Sequence, residues 1–267
     1  MNKKYELTDE TLVVNGQRIH RIQAIRDFGY IKAGDLGGFI KSEANLSHHN
    51  NCWVSYNAWA IYNSRIYDNA YIDKYARVYG NAQVYGNAKI VGHAEVYENA
   101  KIYGNAQICE DARIYGNAKI FGNAQVCEDV RVYGNAKIYD NSRVCENAKV
   151  FGHSRVYEYS QVCGNARVRG NTQIYGNAEI LDTAEIYGDA SVGADAKISG
   201  NAKIYGDAQI YEYAAVSGNA KIFRHAHIYG NARIYGNAQV CGITWVYGTT
   251  KIGGDDKLDS GTWNKWD

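Results

Sequence analysis

The sequence predicts an all-β protein, a triangular solenoid in which every coil takes 18 residues. Three observations carry that expectation. A hexapeptide phrase, plainest in IYGNAKIFGNAQ at residues 114–125, recurs without insertion or deletion through most of the chain. Pro is absent, which suits segments that must all donate backbone hydrogen bonds to a sheet. The residue after each aliphatic position changes character with an 18-residue period rather than a 6-residue one.

The first observation sets the cross-section. Counting in sixes from Val54 passes Ala60, Ile66, Ile72 and Val78 and ends at Ile252 and Leu258, and every landing but Ala60 is Ile, Val or Leu. Four residues after each aliphatic stands a small residue, as at Ala118, Ala124 and Ala136, with Ser142, Ser154 and Thr172 as variants. Small residue and next aliphatic are two apart, so a strand turns both inward and sends the Lys, Arg or Gln between them outward. The Gly-Asn pair that follows tolerates the positive φ of a tight corner. Three such sides close a coil. The run predicts about 11 coils stacked in parallel, roughly 4.8 Å apart and about 50 Å in all.

The third observation separates the sides. One column reads Val91, Cys109, Cys127, Cys145, Cys163, Leu181, Ser199, Ser217. A second reads Tyr79, Tyr97, Tyr115, Tyr133, Phe151, and a third Tyr67, Tyr85, Tyr103, Phe121, Tyr139, Tyr157, Tyr175. Cysteine at 127 therefore marks a distinct wall rather than a slip in the phrase.

Residues 54–258 resemble the hexapeptide-repeat proteins, and the resemblance implies a left-handed parallel β-helix. Residues 1–53 break the period and read as a hairpin and capping segment. Leu12-Val13-Val14 and Arg18-Ile19-His20-Arg21-Ile22 flank Asn15-Gly16, a hairpin signal. With residues 28–40 and Asn51-Cys52-Trp53-Val54, this region resembles the amino-terminal part of the YdcK-like proteins of bacteria and their phages, which are named as acetyltransferases without an assigned reaction. A cap is needed because a bare first coil offers unpaired strand edges. Gly34, Gly37 and Gly38 read as turn glycines, since no GKS or GKT follows them. Asp256 breaks the small-residue rule, and residues 259–267 read as a covering tail anchored by Trp263 and Trp266.

Composition narrows the partners. Lys+Arg 29 against Asp+Glu 28 gives a net charge of +1, which argues against a DNA mimic or a general polyanion binder. No apolar run reaches the length of a membrane span, and the first residues lack the apolar stretch of a signal peptide. Six Cys in such a chain read as reduced thiols, so the expected location is cytoplasmic.

For function the residues favour a non-catalytic scaffold that binds a protein partner or its own copies. The expected docking face is Val91, Cys109, Cys127, Cys145, Cys163 and Leu181, flanked by Gln107, Gln125, Arg143 and Gln161, because a smooth strip of low charge suits packing. Stacked collinearly, these cysteines do not converge as zinc needs, and their rung spacing exceeds the usual disulfide separation, so neither a metal site nor bonding is expected. The hexapeptide-repeat resemblance implies the alternative, a trimeric acyltransferase that uses coenzyme A and a histidine base. His93, His153, His225 and His227 lie in the coils, and His93 or His153 would be that base, with acetyl-CoA as cofactor. No loop interrupts the repeat to build a pocket, so the scaffold expectation carries no cofactor. A third reading is polyanion binding, nucleic acid included, along Lys101, Tyr103, Lys119, Phe121, Lys137, Tyr139, Arg155 and Tyr157, where cations alternate with rings. The second tyrosine side also bears a cation column, Arg113, Arg131 and Lys149, which the corner acids Glu110-Asp111, Glu128-Asp129 and Glu146 are expected to offset.

Overall fold

A computed structural model describes residues 3–265. Among them the backbone is short strands and turns, with one turn of 3₁₀ helix at Glu43–Asn45. The chain forms two compact units, Met1–Tyr133 and Gly134–Asp267.

The first unit begins with β1 (Tyr5–Val14) and β2 (Gln17–Ala24), antiparallel across Asn15 and Gly16, whose φ values of 49° and 73° make the expected hairpin turn. β2 pairs antiparallel with β3 (Leu36–Ile40), and β3 pairs in parallel with Trp59 and Ala60. The cap thus feeds directly into one wall of the solenoid. That wall continues Trp59, Arg77, Glu95, Arg113, Arg131. The second runs Arg65, Gln83, Lys101, Lys119, and the third Trp53, Tyr71, Lys89, Gln107, Gln125. From Trp53 on, every rung partner in these walls is 18 residues away and parallel.

The second unit repeats the plan. Its walls run Lys137, Arg155, Gln173, Ser191, Gln209, His227, Trp245; Lys149, Arg167, Glu185, Lys203, Lys221, Gln239; and Arg143, Gln161, Glu179, Lys197, Ala215, Arg233, Lys251. It ends differently from the sequence expectation. Lys257–Lys265 is one strand, paired in parallel with Gln239–Gly248, so no separate tail starts at 259. Trp263 is 43% exposed, its indole donates to the Ser260 carbonyl, and its backbone is the rung partner of Val246. Trp266 lies outside the described residues.

The core is the two inward columns. From Ile66 to Val246 the aliphatic positions have no exposure, and the Ala, Ser and Thr positions between them are buried with them. Each buried Val or Ile contributes about 1.5–3 kcal/mol. Ala60 is the one small landing of the column, and the next residue, Ile61, lies on the outer face, packed with Ile19 and Phe39 of the cap.

Corners hold the coils in register. Asn side chains form amide ladders, as from Asn201 through Asn219 and Asn237 to Asp255 at 2.9–3.0 Å. Where an acid replaces the corner Gly it also adopts positive φ, as at Glu98 (56°), Glu158 (59°) and Asp182 (57°). Its carboxylate then accepts the N–H one coil on, from Gly116, Gly176 and Gly200 respectively, at 2.7–2.8 Å. Gly37 and Gly38 are not turn residues: both lie buried in β3, and a Cβ at Gly38 would collide with the Ala58 carbonyl. Only Gly34 of the three has positive φ.

Candidate functional site

The expected docking column lies on one wall in each unit. In the first, Val91, Cys109 and Cys127 follow the inward residues Ile90, Ile108 and Val126, which are rung partners. In the second, Cys145, Cys163 and Leu181 follow Val144, Val162 and Ile180. Gln107, Gln125 and Gln161 point out beside them and are exposed.

The cysteines correct the sequence reading. Cys109 is bonded to Cys127 and Cys145 to Cys163, with Cα separations of 4.6 and 4.7 Å. These fall inside the range a disulfide accepts, because side chains lean along the rung and the backbone spacing alone is a poor guide. Only Cys52 and Cys241 are free. The Glu146 carboxylate lies within 4.8 Å of both Sγ atoms of the second pair, but sulfurs bonded to each other are not thiolate ligands. The cysteine content therefore lends no support to a reducing compartment.

The aromatic columns are stacks. Tyr67, Tyr85, Tyr103 and Phe121 lie face to face at 4.7–4.9 Å and within 6° of parallel. Tyr79, Tyr97, Tyr115 and Tyr133 do the same at 4.8–5.0 Å, and in the second unit Tyr139 stacks on Tyr157 at 5.1 Å. Burial in the stack pushes the phenols of Tyr85, Tyr103, Tyr139 and Tyr157 above their ordinary value. A ring inside such a ladder has both faces covered by its neighbours. It offers solvent an edge, and no face for a nucleic-acid base. Beside these rings Lys101 pairs with Lys119 and Lys137 with Arg155 along the rungs, and none of the four makes an ion pair among the described residues. The corner acids do not neutralise Arg113, Arg131 or Lys149 either, since no ion pair joins them. Glu110, Glu128 and Glu146 instead fill left-handed corner positions, with φ of 60°, 70° and 62°.

The histidines do not assemble a catalytic group. His93 is exposed at a corner and stacks on Tyr75 at 5.0 Å, and exposed His153 approaches the Asn135 amide at 3.4 Å. His225 faces Asp207 at 3.3 Å. His227 lies on Trp245 at 4.2 Å, and burial lowers its pKa.

Two features escaped the sequence reading. In the second unit a groove of about 700 Å³ opens where Ala215 stands in an outward column otherwise filled by long side chains, between Lys197 and Arg233 and beside Tyr213 and Tyr235. The visible signal was that single Ala. In the first unit a buried polar cluster, Lys4, His48 and Cys52, lies beneath the cap. Nothing in the sequence marks it, because Lys4 precedes the hairpin and looks like a solvent residue.

Fold and walls together define a parallel β-solenoid built of hexapeptides. The family profile described as YdcK beta solenoid repeat matches residues 112–128, 160–176 and 226–242. Among solved structures, the chain is similar to the crystal structure of UDP-N-acetylglucosamine O-acyltransferase from Moraxella catarrhalis RH4, at 18% identity over 76% of this chain and 71% of that one, with a TM-score of 0.24. No curated protein matches the chain in sequence. No helix among the described residues is long and apolar enough to cross a membrane.

Proposed function

We propose that the protein is a non-catalytic scaffold that engages a protein partner or a second copy of itself through the cysteine wall. The observation that supports this is the character of that wall. Between Val91 and Cys127, and again between Cys145 and Leu181, it carries no tyrosine stack, its sulfurs are tied in pairs, and its outward column holds Gln107, Gln125 and Gln161 with Lys89, Arg143 and Glu179 as the charged residues. Such a surface loses little polar solvation when another chain covers it. The covered ring faces weigh against base stacking on the Lys101–Lys119 side, and the exposed corner positions of His93 and His153 weigh against acyl transfer. The two disulfides weigh against the cytoplasmic location expected from composition, because reducing compartments keep thiols free.

The test is Gln107→Lys combined with Gln125→Lys, which puts two adjacent charges on the wall without touching the core. Light scattering and capture of proteins from the native host are expected to show an assembly with the wild type and its loss in the variant, at unchanged circular dichroism. Retention of the assembly by the variant overturns the reading. So does a rise in melting temperature with acetyl-CoA, which would restore the acyltransferase.

A further inference from the structure

We propose that Lys4 and Cys52 form a site of covalent modification, an N–O–S cross-link that fastens the segment before β1 to the first coil. Both residues are fully buried. The Lys4 amine donates to the Cys52 carbonyl at 2.8 Å and to the Asn50 and His49 carbonyls at 3.2 and 3.4 Å. These bonds hold Nζ 3.3 Å from the Cys52 Sγ. The thiol in turn faces the Ser47 carbonyl at 3.3 Å. Phe28, whose ring the amine faces at 4.9 Å, packs on Trp53, and these rings help close the polar pair off from solvent.

Such surroundings favour the uncharged partners the reaction needs. Burial lowers the Lys4 pKa and raises that of Cys52, so each is displaced toward the neutral amine and neutral thiol. Each partner acts in part against the other's neutralisation: Cys52 raises the Lys4 value, and Lys4 lowers that of Cys52. The oxidant is dioxygen, a small apolar molecule suited to a dry interior. One of its oxygen atoms inserts between sulfur and nitrogen, forming S–O and O–N bonds, while the S–H bond and one N–H bond break. The other oxygen leaves with those two hydrogens as water. Sulfur and nitrogen each give up two electrons, and dioxygen takes all four. A separation of 3.3 Å favours one bridging atom over a direct S–N bond, which requires a much closer approach.

The other cysteines provide internal references. Cys109, Cys127, Cys145 and Cys163 are already paired, and Cys241 is free and partly exposed. The experiment takes the full chain purified without air, divides it, and exposes one half to dioxygen. Both halves are then alkylated after unfolding without reductant and digested. The expected result is loss of Cys52 alkylation in the exposed half alone, with Cys241 alkylated in both. A linked peptide pair holding residues 4 and 52 should carry one added oxygen and two fewer hydrogens, and dithiothreitol should release it. Cys52→Ser, which preserves size, should remove the linked pair while the protein still folds by circular dichroism. Cys52 that stays fully alkylatable after exposure overturns the proposal, as does its conversion to a sulfinic acid or to a direct S–N product.

Discussion

Replacing Cys145 and Cys163 together by Ser opens the covalent ring that their disulfide closes around one coil, an 18-residue separation. The chain-entropy of closing a ring of that size sets the loss at about 3 kcal/mol at 25 °C. New hydroxyls add little, because rung carbonyls are at hand, as the buried Ser160 illustrates by donating to the Tyr157 carbonyl at 2.7 Å. For a chain of this length the loss corresponds to a fall in melting temperature of roughly 6–12 °C. The assay is a thermal melt followed by circular dichroism, in a background where Cys109 and Cys127 are already Ser so that one disulfide changes. Parent and variant should differ by that interval without reductant and melt together with it. Equal melting of the two without reductant, with the parent disulfide confirmed by mass spectrometry, refutes the reasoning.

Other consequences are smaller and equally direct. Glu158→Ala removes the acceptor of the Gly176 N–H yet keeps a side chain at φ 59°, and is expected to lose about 1 kcal/mol or slightly more in chemical denaturation. Glu158→Gly should lose less, because glycine relieves a left-handed strain of roughly 1 kcal/mol; equal losses would contradict the corner account. Thr172 has a buried hydroxyl without a hydrogen-bond partner, so Thr172→Val, which puts a methyl in its place, is expected to stabilise by about 1 kcal/mol, measured as a raised denaturation midpoint. His227 has a lowered pKa through burial and its neighbour His225, so the unfolded chain binds its proton more readily than the folded one. Its contribution is present above the ordinary value of about 6.5 and is lost as pH falls below it. His227→Phe, which keeps a ring on Trp245, should flatten that part of a melting-temperature profile against pH.

The coils were legible because one residue type at one spacing has one steric meaning there. Ile114 and Ala118 must point inward, and an unbroken period leaves no choice of register. Even Ala60, the single exception, announced a change of packing, although not that its neighbour Ile61 would be covered on the outer face by Phe39. The surfaces were less legible because outward side chains choose among partners. The column Cys109 and Cys127 was read correctly and its bonding was not, since the Sγ positions depend on rotamers that spacing does not fix. The stack of Tyr67, Tyr85 and Tyr103 was visible as a column, but the consequence, that its faces are mutually covered, needs ring orientation. The corner acids Glu110, Glu128 and Glu146 read as counter-ions for Arg113, Arg131 and Lys149, whereas no ion pair joins them, and acids at such corners, as at Glu98 and Asp182, send the carboxylate to a backbone N–H. The Lys4 cluster depends on where the cap folds back, and no local pattern encodes that.

The claim on which the rest depends is that residues 18 apart are vertical neighbours. Lys197 is opposite Ala215, and the Ser199 N–H donates to the Val216 carbonyl at 2.9 Å, which places Ser199 and Ser217 one above the other. Ser199→Cys with Ser217→Cys should therefore form an intramolecular disulfide on oxidation, mapped by peptide mass spectrometry. Ser199→Cys with Tyr211→Cys, 12 apart and on different walls, should remain reduced. Bonding of the 12-residue pair with none in the 18-residue pair would contradict the solenoid.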